Sequence, residues 1–156
     1  MITHTRVAPK TKGFPDYDDV VADVAELLRQ RSAAARELEV ASEQLVLDPG
    51  IDLAKTPSES VEVLRRLDEL HRLGRPLLLA VSRKDFLGAL TERPPAERDA
   101  ATLAALGAAS ERGAHVLRVH DVRAARDYLR VRAALAGDEP VPEGPLPDRL
   151  RREPAA

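Results

Sequence analysis

Short apolar segments alternate along this chain with longer segments whose apolar residues recur every three or four positions. Short continuous apolar runs are typical of buried strands, and the longer spacing is typical of helices that bury one face. The predicted order is β-α-β-α-β-α-β-α, which indicates a parallel sheet with right-handed crossovers. We predict strands at 1–2, 44–47, 76–81 and 114–119.

The helical spacing predicts helices over 17–40, 57–73, 84–90, 95–113 and 122–136. Asp16 and Asp18 suit the amino end of the first helix as cap and dipole partners. Thr56 or Ser58 suits the cap of the second helix, and Gly74 suits its carboxyl end. The chain therefore carries start and stop signals at the expected places.

The composition changes beyond Gly137, where prolines alternate with charged residues. A segment of this composition buries too little apolar surface to offset the entropy of ordering. We therefore predict one folded domain at 1–137 and a disordered or loosely attached tail at 138–156.

Three predicted strands end in polar clusters, at 48–50, 82–84 and 118–121. Parallel α/β sheets place their chemistry at the carboxyl ends of strands. Because each cluster is followed by a helical pattern, the three are expected to form one active-site rim.

Composition narrows the function classes. At 156 residues the chain supports one core but not a complete (β/α)₈ barrel, which usually needs about 250 residues. A formal charge of −2 with interspersed signs gives no basic field for nucleic acid. No segment approaches the roughly 18 apolar residues of a membrane span, and no export signal opens the chain. We predict a soluble cytoplasmic protein.

The sequence has neither the cysteines needed for thiol chemistry nor the residue spacing of an evident metal site. The chain has no cysteine, which excludes thiolate ligands, thiol catalysis and disulfides. The four histidines show no ligand spacing, and His4 and His115 are interpreted as structural or exposed. Asp18 and Asp19 are interpreted as helix-start charge. The residues themselves therefore predict no metal site.

Residues 47–56 read Leu-Asp-Pro-Gly-Ile-Asp-Leu-Ala-Lys-Thr and resemble the LDPGxGFGKT stretch of the dihydropteroate synthase family. The clusters at 82–84 and 118–122 match that family in the same order, as do 9–11 and 17–20. Together these matches cover about 1–137. The resemblance implies a pterin-binding TIM barrel, of which this α/β chain would be the carboxyl-terminal half, a partial barrel of about four βα units with parallel strands.

Enzymes of that family join 6-hydroxymethyl-7,8-dihydropterin diphosphate to p-aminobenzoate and release pyrophosphate, a transferase step of folate biosynthesis. The resemblance implies that Asp48 and Lys84 meet the pterin ring and that Ser82 lies on the p-aminobenzoate side. It also implies that Arg118 and His120 lie near the ring and the diphosphate. The implied catalytic residues are Lys84, Arg118 and His120, and the implied substrate-binding residues are Asp48, Ser82 and Arg83.

The side-chain chemistry is compatible with these roles. A carboxylate at Asp48 can accept paired N–H donors from a 2-amino-4-oxo ring. Arg118 offers a planar fork that stacks on rings and holds phosphate oxygens, and His120 can donate to a departing diphosphate. The pattern contains no nucleophile–base pair, so catalysis is expected to depend on positioned donors.

Each candidate also has a purely structural interpretation. Asp48 before Pro49-Gly50 suits a turn. Arg83 and Lys84 suit a solvated helix start, although the helix dipole slightly disfavours a cation there. His120 and Asp121 suit a strand exit followed by a helix cap.

The chain departs from the family pattern in two ways. The family's amino-terminal asparagine, Thr-Arg-Pro-Gly loop and further Asp and Asn contacts have no counterpart here. The family resemblance implies Mg²⁺ as a possible cofactor, but its usual ligand in the family has no counterpart in this chain. Locally, the family's Gly-Phe-Gly is Asp52-Leu53-Ala54, and Ala80 replaces a glycine that allows close approach of the pterin.

Half a barrel would leave two strand edges and one face open. We therefore expect a homodimer, aggregation or a partner that supplies the amino-terminal half, unless the true protein is about twice as long. The sequence favours a dihydropteroate synthase half that is inactive alone. The alternatives are a non-catalytic pterin- or anion-binding half-barrel, such as an accessory subunit, and a flavodoxin-like domain that binds a phosphorylated ligand. The four predicted strands suit a flavodoxin-like domain, but the three strand ends that match the dihydropteroate synthase family disfavour it.

Overall fold

The structure is a computed structural model that describes residues 1–8 and 13–152. The family-like loop at 9–11 and the last four residues, 153–156, lie outside the described residues. The strands in the described part are β1 (Ile2–Thr3), β2 (Leu47–Asp48), β3 (Leu78–Leu79) and β4 (Val116–Leu117). The α-helices there are α1 (Val20–Glu37), α2 (Pro57–Arg65), α3 (Asp85–Thr91), α4 (Asp99–Glu111) and α5 (Val122–Ala136).

The strands pair in parallel and in chain order. β1 pairs with β2, where Ile2 lies opposite Leu47, and β3 pairs with β4. A parallel bridge between Leu47 and Leu77 connects the two pairs, supported by the Leu47 amide, which donates to the Pro76 carbonyl at 2.9 Å. The prediction of an α/β fold with parallel strands is confirmed.

Leucine and valine side chains between the helices and the strands form the core. Each fully buried side chain of this size stabilises the fold by about 1.5–3 kcal/mol. This core supports the strands whose polar ends form the candidate site. None of the helices in the described ranges is both long and apolar enough to cross a membrane. The large apolar residues with least exposure include Val21, Val24, Leu28, Leu47, Leu67, Leu70, Leu79 and Leu106.

Helix α1 is shorter than predicted, and its cap is a different aspartate. The carboxylate of Asp19 accepts hydrogen bonds from the Val21 and Ala22 amides at 2.9 and 3.0 Å. The assignment of the cap to Asp16 or Asp18 was wrong, because Asp19 is the extended residue that directly precedes the helix. Asp19 also pairs with Arg66 at 3.1 Å, which joins α1 to the segment after α2.

The predicted second helix divides into two parts. Thr56, one of the two caps that the sequence indicated, caps α2, and Glu59 completes a capping box that was not predicted. After Arg65 the chain continues as a 3₁₀ segment, Leu67–Leu73, which ends at Gly74 with φ +65°. Leu67, Leu70 and Leu73 recur every third residue, and a 3₁₀ helix places such residues on one face.

Other boundaries also moved. The strand predicted at 44–47 starts only at Leu47, and Ser42–Gln44 forms a 3₁₀ turn instead. That turn is held by the Gln44 side chain, which accepts from the Ala41 amide at 3.1 Å. Helix α5 has the predicted bounds and the Asp121 cap. Residues 138–150 are exposed, with a 3₁₀ turn at Asp148–Leu150.

Candidate active site

Ser82 and His120 connect the carboxyl ends of β3 and β4. The Ser82 hydroxyl lies 2.8 Å from Nδ1 of His120 and accepts from the His120 amide at 3.3 Å. The hydroxyl proton remains available for donation to Nδ1. When Ser82 donates in this way, His120 carries its own proton on Nε2, where it can be donated to a ligand.

Predicted residues from both strand ends line one cavity of about 420 Å³. A cavity of this volume is within the range of small-molecule sites. Ser82, Lys84, Arg118 and His120 are therefore brought together as the sequence predicted. The other lining residues are Asp52, Ala80, Arg83, Asp85 and Val119.

Asp48 lies outside that lining but interacts electrostatically with two residues that belong to it. Its buried carboxylate accepts from the Gly50 amide at 2.8 Å and from the Thr3 hydroxyl at 3.4 Å. Burial raises the pKa of Asp48, and the charges of Lys84 and Arg118 act against that rise. All three strand ends thus influence one another at this edge of the sheet.

Lys84 joins the end of β3 to the loop after β2. Its Nζ donates to the Ile51 carbonyl at 3.1 Å, and the residue precedes α3 as its extended N-cap. A lysine ammonium has three donors, so this bond leaves others for a ligand.

Arg83 is held by α4. Its Nε lies 2.9 Å from the Asp99 carboxylate, and its amide donates to the Thr102 hydroxyl at 3.0 Å. Its φ of +57° turns the chain sharply between Ser82 and Lys84. A substrate contact by Arg83 stays a prediction.

Arg98 supports the backbone of this site, a role that was not predicted from the sequence. Its buried guanidinium donates through Nη1 to the carbonyls of Arg83 and Lys84, both at 3.0 Å, and through Nε to the Arg93 carbonyl at 2.7 Å. Nη1 also lies 3.2 Å from the Asp85 carboxylate. Arg98 therefore fixes the backbone that carries Lys84. Nothing in its sequence neighbourhood distinguishes it from the exposed arginines around it.

Asp52 and Ala54 occupy two positions where the family pattern has glycine. Both have a positive φ, +60° and +52°, so the backbone keeps a conformation that glycine adopts most easily. The Asp52 carboxylate accepts from the Asp85 and Phe86 amides at the start of α3 and from the Ser60 hydroxyl at 3.1 Å. Asp52 thus ties the loop after β2 to α2 and α3.

Lys55 and His4 form a buried pair below the same loop. Lys55 is 2% exposed and His4 is 0% exposed, and Nζ of Lys55 lies 2.8 Å from Nδ1 of His4. Burial, followed by the Lys55 charge, lowers the pKa of His4 to about 4. Burial also lowers the pKa of Lys55 to about 8. Lys55 belongs to the family-like motif, yet its residue type alone did not indicate a buried position.

The described residues contain no group of three or more His, Cys, Asp or Glu side chains able to hold a metal ion. The predicted site residues instead contribute three cations, a histidine and a hydroxyl to the cavity. This donor set suits an anionic or strongly polar organic ligand.

Comparison with known proteins decides the family. The family model for pterin binding enzymes matches residues 1–120. This chain belongs to that family. The resemblance to dihydropteroate synthases inferred from the sequence is likewise confirmed. The Synechocystis dihydropteroate synthase is 39% identical over 137 residues, which are 86% of this chain and 47% of that protein.

Solved structures of this family agree. Dihydropteroate synthase from Stenotrophomonas maltophilia superimposes with a TM-score of 0.84 at 39% identity, over 89% of this chain and 54% of that one. The Xanthomonas albilineans enzyme, in a structure with 4-aminobenzoic acid, gives a TM-score of 0.80 at 39% identity over 90% and 50%. The structure of the same enzyme with 7,8-dihydropteroate gives a TM-score of 0.80 at 38% identity, over 90% of this chain and 51% of that one. The chain spans about half the length of the family members it matches.

Proposed function

We propose that this chain supplies the carboxyl-terminal half of a dihydropteroate synthase active site, as about four βα units of a TIM barrel. The observation that carries the proposal is that Lys84, Arg118 and His120 line one cavity at the carboxyl ends of parallel strands. In the proposed reaction the amine nitrogen of p-aminobenzoate bonds to the pterin methylene carbon. The bond from that carbon to the diphosphate oxygen breaks, and the amine loses a proton.

Asp48 is the proposed partner of the pterin ring. A 2-amino-4-oxo ring presents adjacent N–H donors, and the two oxygens of one carboxylate match them. The nearby charges of Lys84 and Arg118 favour the ionised carboxylate that such pairing needs. The X. albilineans structure with 7,8-dihydropteroate supports a pterin as the substrate class.

The diphosphate is the proposed ligand of the cavity cations. Arg118 can hold two phosphate oxygens with its planar fork, and Lys84 adds a second positive charge. His120, held by Ser82, can donate its Nε2 proton to the oxygen that gains negative charge as the bond breaks. Their position in the cavity lining supports this part of the proposal.

The p-aminobenzoate side is proposed at Ser82 and Arg83. Ser82 lies at the cavity wall, and Arg83 lines it while its guanidinium pairs with Asp99. The X. albilineans structure with 4-aminobenzoic acid supports this substrate class. Every step proposed here uses the chain's own side chains, since the described residues contain no group of three or more His, Cys, Asp or Glu side chains able to hold a metal ion.

We further propose that turnover needs a second half-barrel, supplied by an amino-terminal half or by a second copy in a homodimer. Two strand edges support this proposal. Within the described ranges β1 pairs only with β2 and β4 pairs only with β3, and Val116 in β4 is 42% exposed. An open parallel edge of apolar residues favours pairing with another chain.

A binding and turnover experiment tests the proposal. The chain is titrated with 6-hydroxymethyl-7,8-dihydropterin diphosphate, and dihydropteroate formation is measured with and without the amino-terminal half of a related synthase. We expect Lys84→Ala and Asp48→Asn each to weaken binding at least tenfold. Arg130→Ala, which removes an exposed cation on α5, is the matched control and should bind normally.

The outcomes separate the alternatives. Turnover that needs the added half supports the enzyme proposal. Binding without turnover, even with both halves, would favour a non-catalytic pterin- or anion-binding half-barrel. Normal binding by Lys84→Ala and Asp48→Asn would show that the proposed site is wrong.

A further inference from the structure

The ammonium group of Lys55 has three acceptors, one for each of its protons. They are Nδ1 of His4 at 2.8 Å, the Gly50 carbonyl at 3.0 Å and the Leu53 carbonyl at 3.2 Å. A charged lysine satisfies all three acceptors, whereas a neutral amine has only two protons to donate. The geometry therefore matches the protonated lysine, although it is buried.

His4 extends this arrangement away from the loop. Its Nε2 lies 3.0 Å from the Asp23 carboxylate on α1, and Asp23 also pairs with Arg6 at 3.3 Å. Since Nδ1 accepts from Lys55, the proton of a neutral His4 ring lies on Nε2 and is donated to Asp23. A hydrogen-bonded series thus connects α1, the end of β1 and the loop after β2.

Gly50 is where this series meets the proposed pterin ligand. The Gly50 carbonyl accepts from Lys55, while its amide donates to the Asp48 carboxylate at 2.8 Å. The Leu53 amide also donates to the Gly50 carbonyl at 2.9 Å and closes the turn. Rotation of the peptide units at Gly50 would move both bonds, so Lys55 and Asp48 are coupled through one residue.

We infer that Lys55 is a positioning residue that orients the Asp48 carboxylate through Gly50, so that both carboxylate oxygens face a 2-amino-4-oxo ring. This inference rests on the proposed pterin-binding function. Lys55 itself lies below the loop, away from the cavity lining, and acts on the ligand only through Asp48.

Lysine at this position has a specific bonding role. Its replacement by methionine removes one partner of a buried arrangement, so Nδ1 of His4 and the Leu53 carbonyl would lose their donor. A methionine would fill the same space without the cost of burying an ammonium group. What methionine cannot do is hold the Gly50 carbonyl, and that bond is the link to Asp48.

The test compares wild type with Lys55→Met, which keeps the side-chain length and removes the three donors. Calorimetric titration with 7,8-dihydropterin is expected to show at least tenfold weaker binding for Lys55→Met. The double variant with Asp48→Asn should bind no worse than Asp48→Asn alone, because Lys55 acts through Asp48. Leu106→Ala, a core truncation on α4, controls for lost stability and should bind normally once folded.

A second measurement needs no ligand. Hydrogen exchange of the Gly50 amide is expected to be at least tenfold faster in Lys55→Met than in wild type. In Leu106→Ala, measured under conditions where its free energy of unfolding equals that of wild type, the exchange rate should be unchanged. If Lys55→Met does not fold, Lys55→Leu, which likewise has no donor, takes its place in both measurements.

The two measurements fail separately. Wild type that binds no pterin would refute the proposed function, while faster Gly50 exchange in the variant would still support the link from Lys55 to the loop. Unchanged Gly50 exchange would overturn the positioning inference. So would additive losses of affinity in the double variant.

Discussion

The hydroxyl of Ser82 and Nδ1 of His120 lie 2.8 Å apart, across the ends of two neighbouring strands. The hydroxyl oxygen also accepts the His120 amide, so both the backbone and the ring of that residue are held by one side chain. Donation from the hydroxyl to Nδ1 would leave the ring proton on Nε2, where it is available to a ligand in the cavity.

Removing that hydroxyl should release the His120 ring. We expect Ser82→Ala to lower the free energy of unfolding by only about 1 kcal/mol, the usual contribution of one hydrogen bond. Affinity for inorganic diphosphate should fall several-fold, and ¹⁵N spectra should change from the Nε2–H tautomer to a mixture. Ser82→Thr keeps a hydroxyl and is the control. An unchanged tautomer in Ser82→Ala would contradict the assignment.

Gly50 should tolerate no side chain. Its φ is +68°, and an added Cβ would overlap the backbone carbonyl of His4. We expect Gly50→Ala to lower the free energy of unfolding by roughly 3 kcal/mol, from backbone strain and overpacking together. Urea denaturation measures this value.

Gly74 offers a matched control for that measurement. Its φ is +65°, but a Cβ there would meet nothing within 4 Å. Gly74→Ala should therefore cost only the conformational strain, about 1 kcal/mol. Equal losses at both positions would mean that the close approach of Gly50 to His4 is unimportant.

Arg98 should not be replaceable by lysine. The guanidinium reaches the carbonyls of Arg83, Lys84 and Arg93 from one planar group, and an ammonium cannot match that fork. We expect Arg98→Lys to lower the free energy of unfolding by about 2 kcal/mol, because buried carbonyls lose their donors. Thermal denaturation checks the loss. Arg130→Lys, on an exposed arginine of α5, should have no measurable effect.

The buried His4 should make stability fall in mild acid. Its pKa is lowered from 6.5 to about 4, so the unfolded chain binds a proton at a higher pH than the folded one. Above pH 6.5 the neutral His4 therefore contributes about 3 kcal/mol to the free energy of unfolding. This contribution is lost as the pH falls from 6.5 through 4.

Comparison with His4→Asn isolates that effect. The variant should be less stable at pH 7 but should lack this part of the slope between pH 6.5 and 4. Asp48, whose pKa is raised by burial, is present in both proteins and cancels in the difference. Parallel stability curves for the two proteins would contradict a buried neutral His4. Urea denaturation across this pH range provides the measurement.

The positions of the elements were largely predictable because they depend on local patterns. The bounds of α5 and a helix cap at Thr56, one of two predicted candidates, follow from residues within one turn of each other. The site cluster at 82–84 and 118–120 was also predictable, since parallel strands end at one edge. The cap at Asp19 was missed because three neighbouring aspartates differ only in the backbone conformation that each adopts.

The supporting residues could not be found in this way. Arg98 and Lys55 are charged, and charged residues are rarely buried. Their burial depends on acceptors that lie far away in the sequence, such as His4 for Lys55, at a separation of 51 residues. A pattern read along the chain carries no information on such pairs.

By itself the sequence determined the α/β order, the family and the residues at three strand ends, because periodicity, turn residues and a motif are all local properties. Only the tertiary structure decided how those residues are held. Ser82 orients His120, Arg98 supports the backbone of Lys84, and the Lys55 ammonium reaches Asp48 through Gly50. The physical reason is that a buried polar group needs partners, and only folding determines which groups are within hydrogen-bond distance.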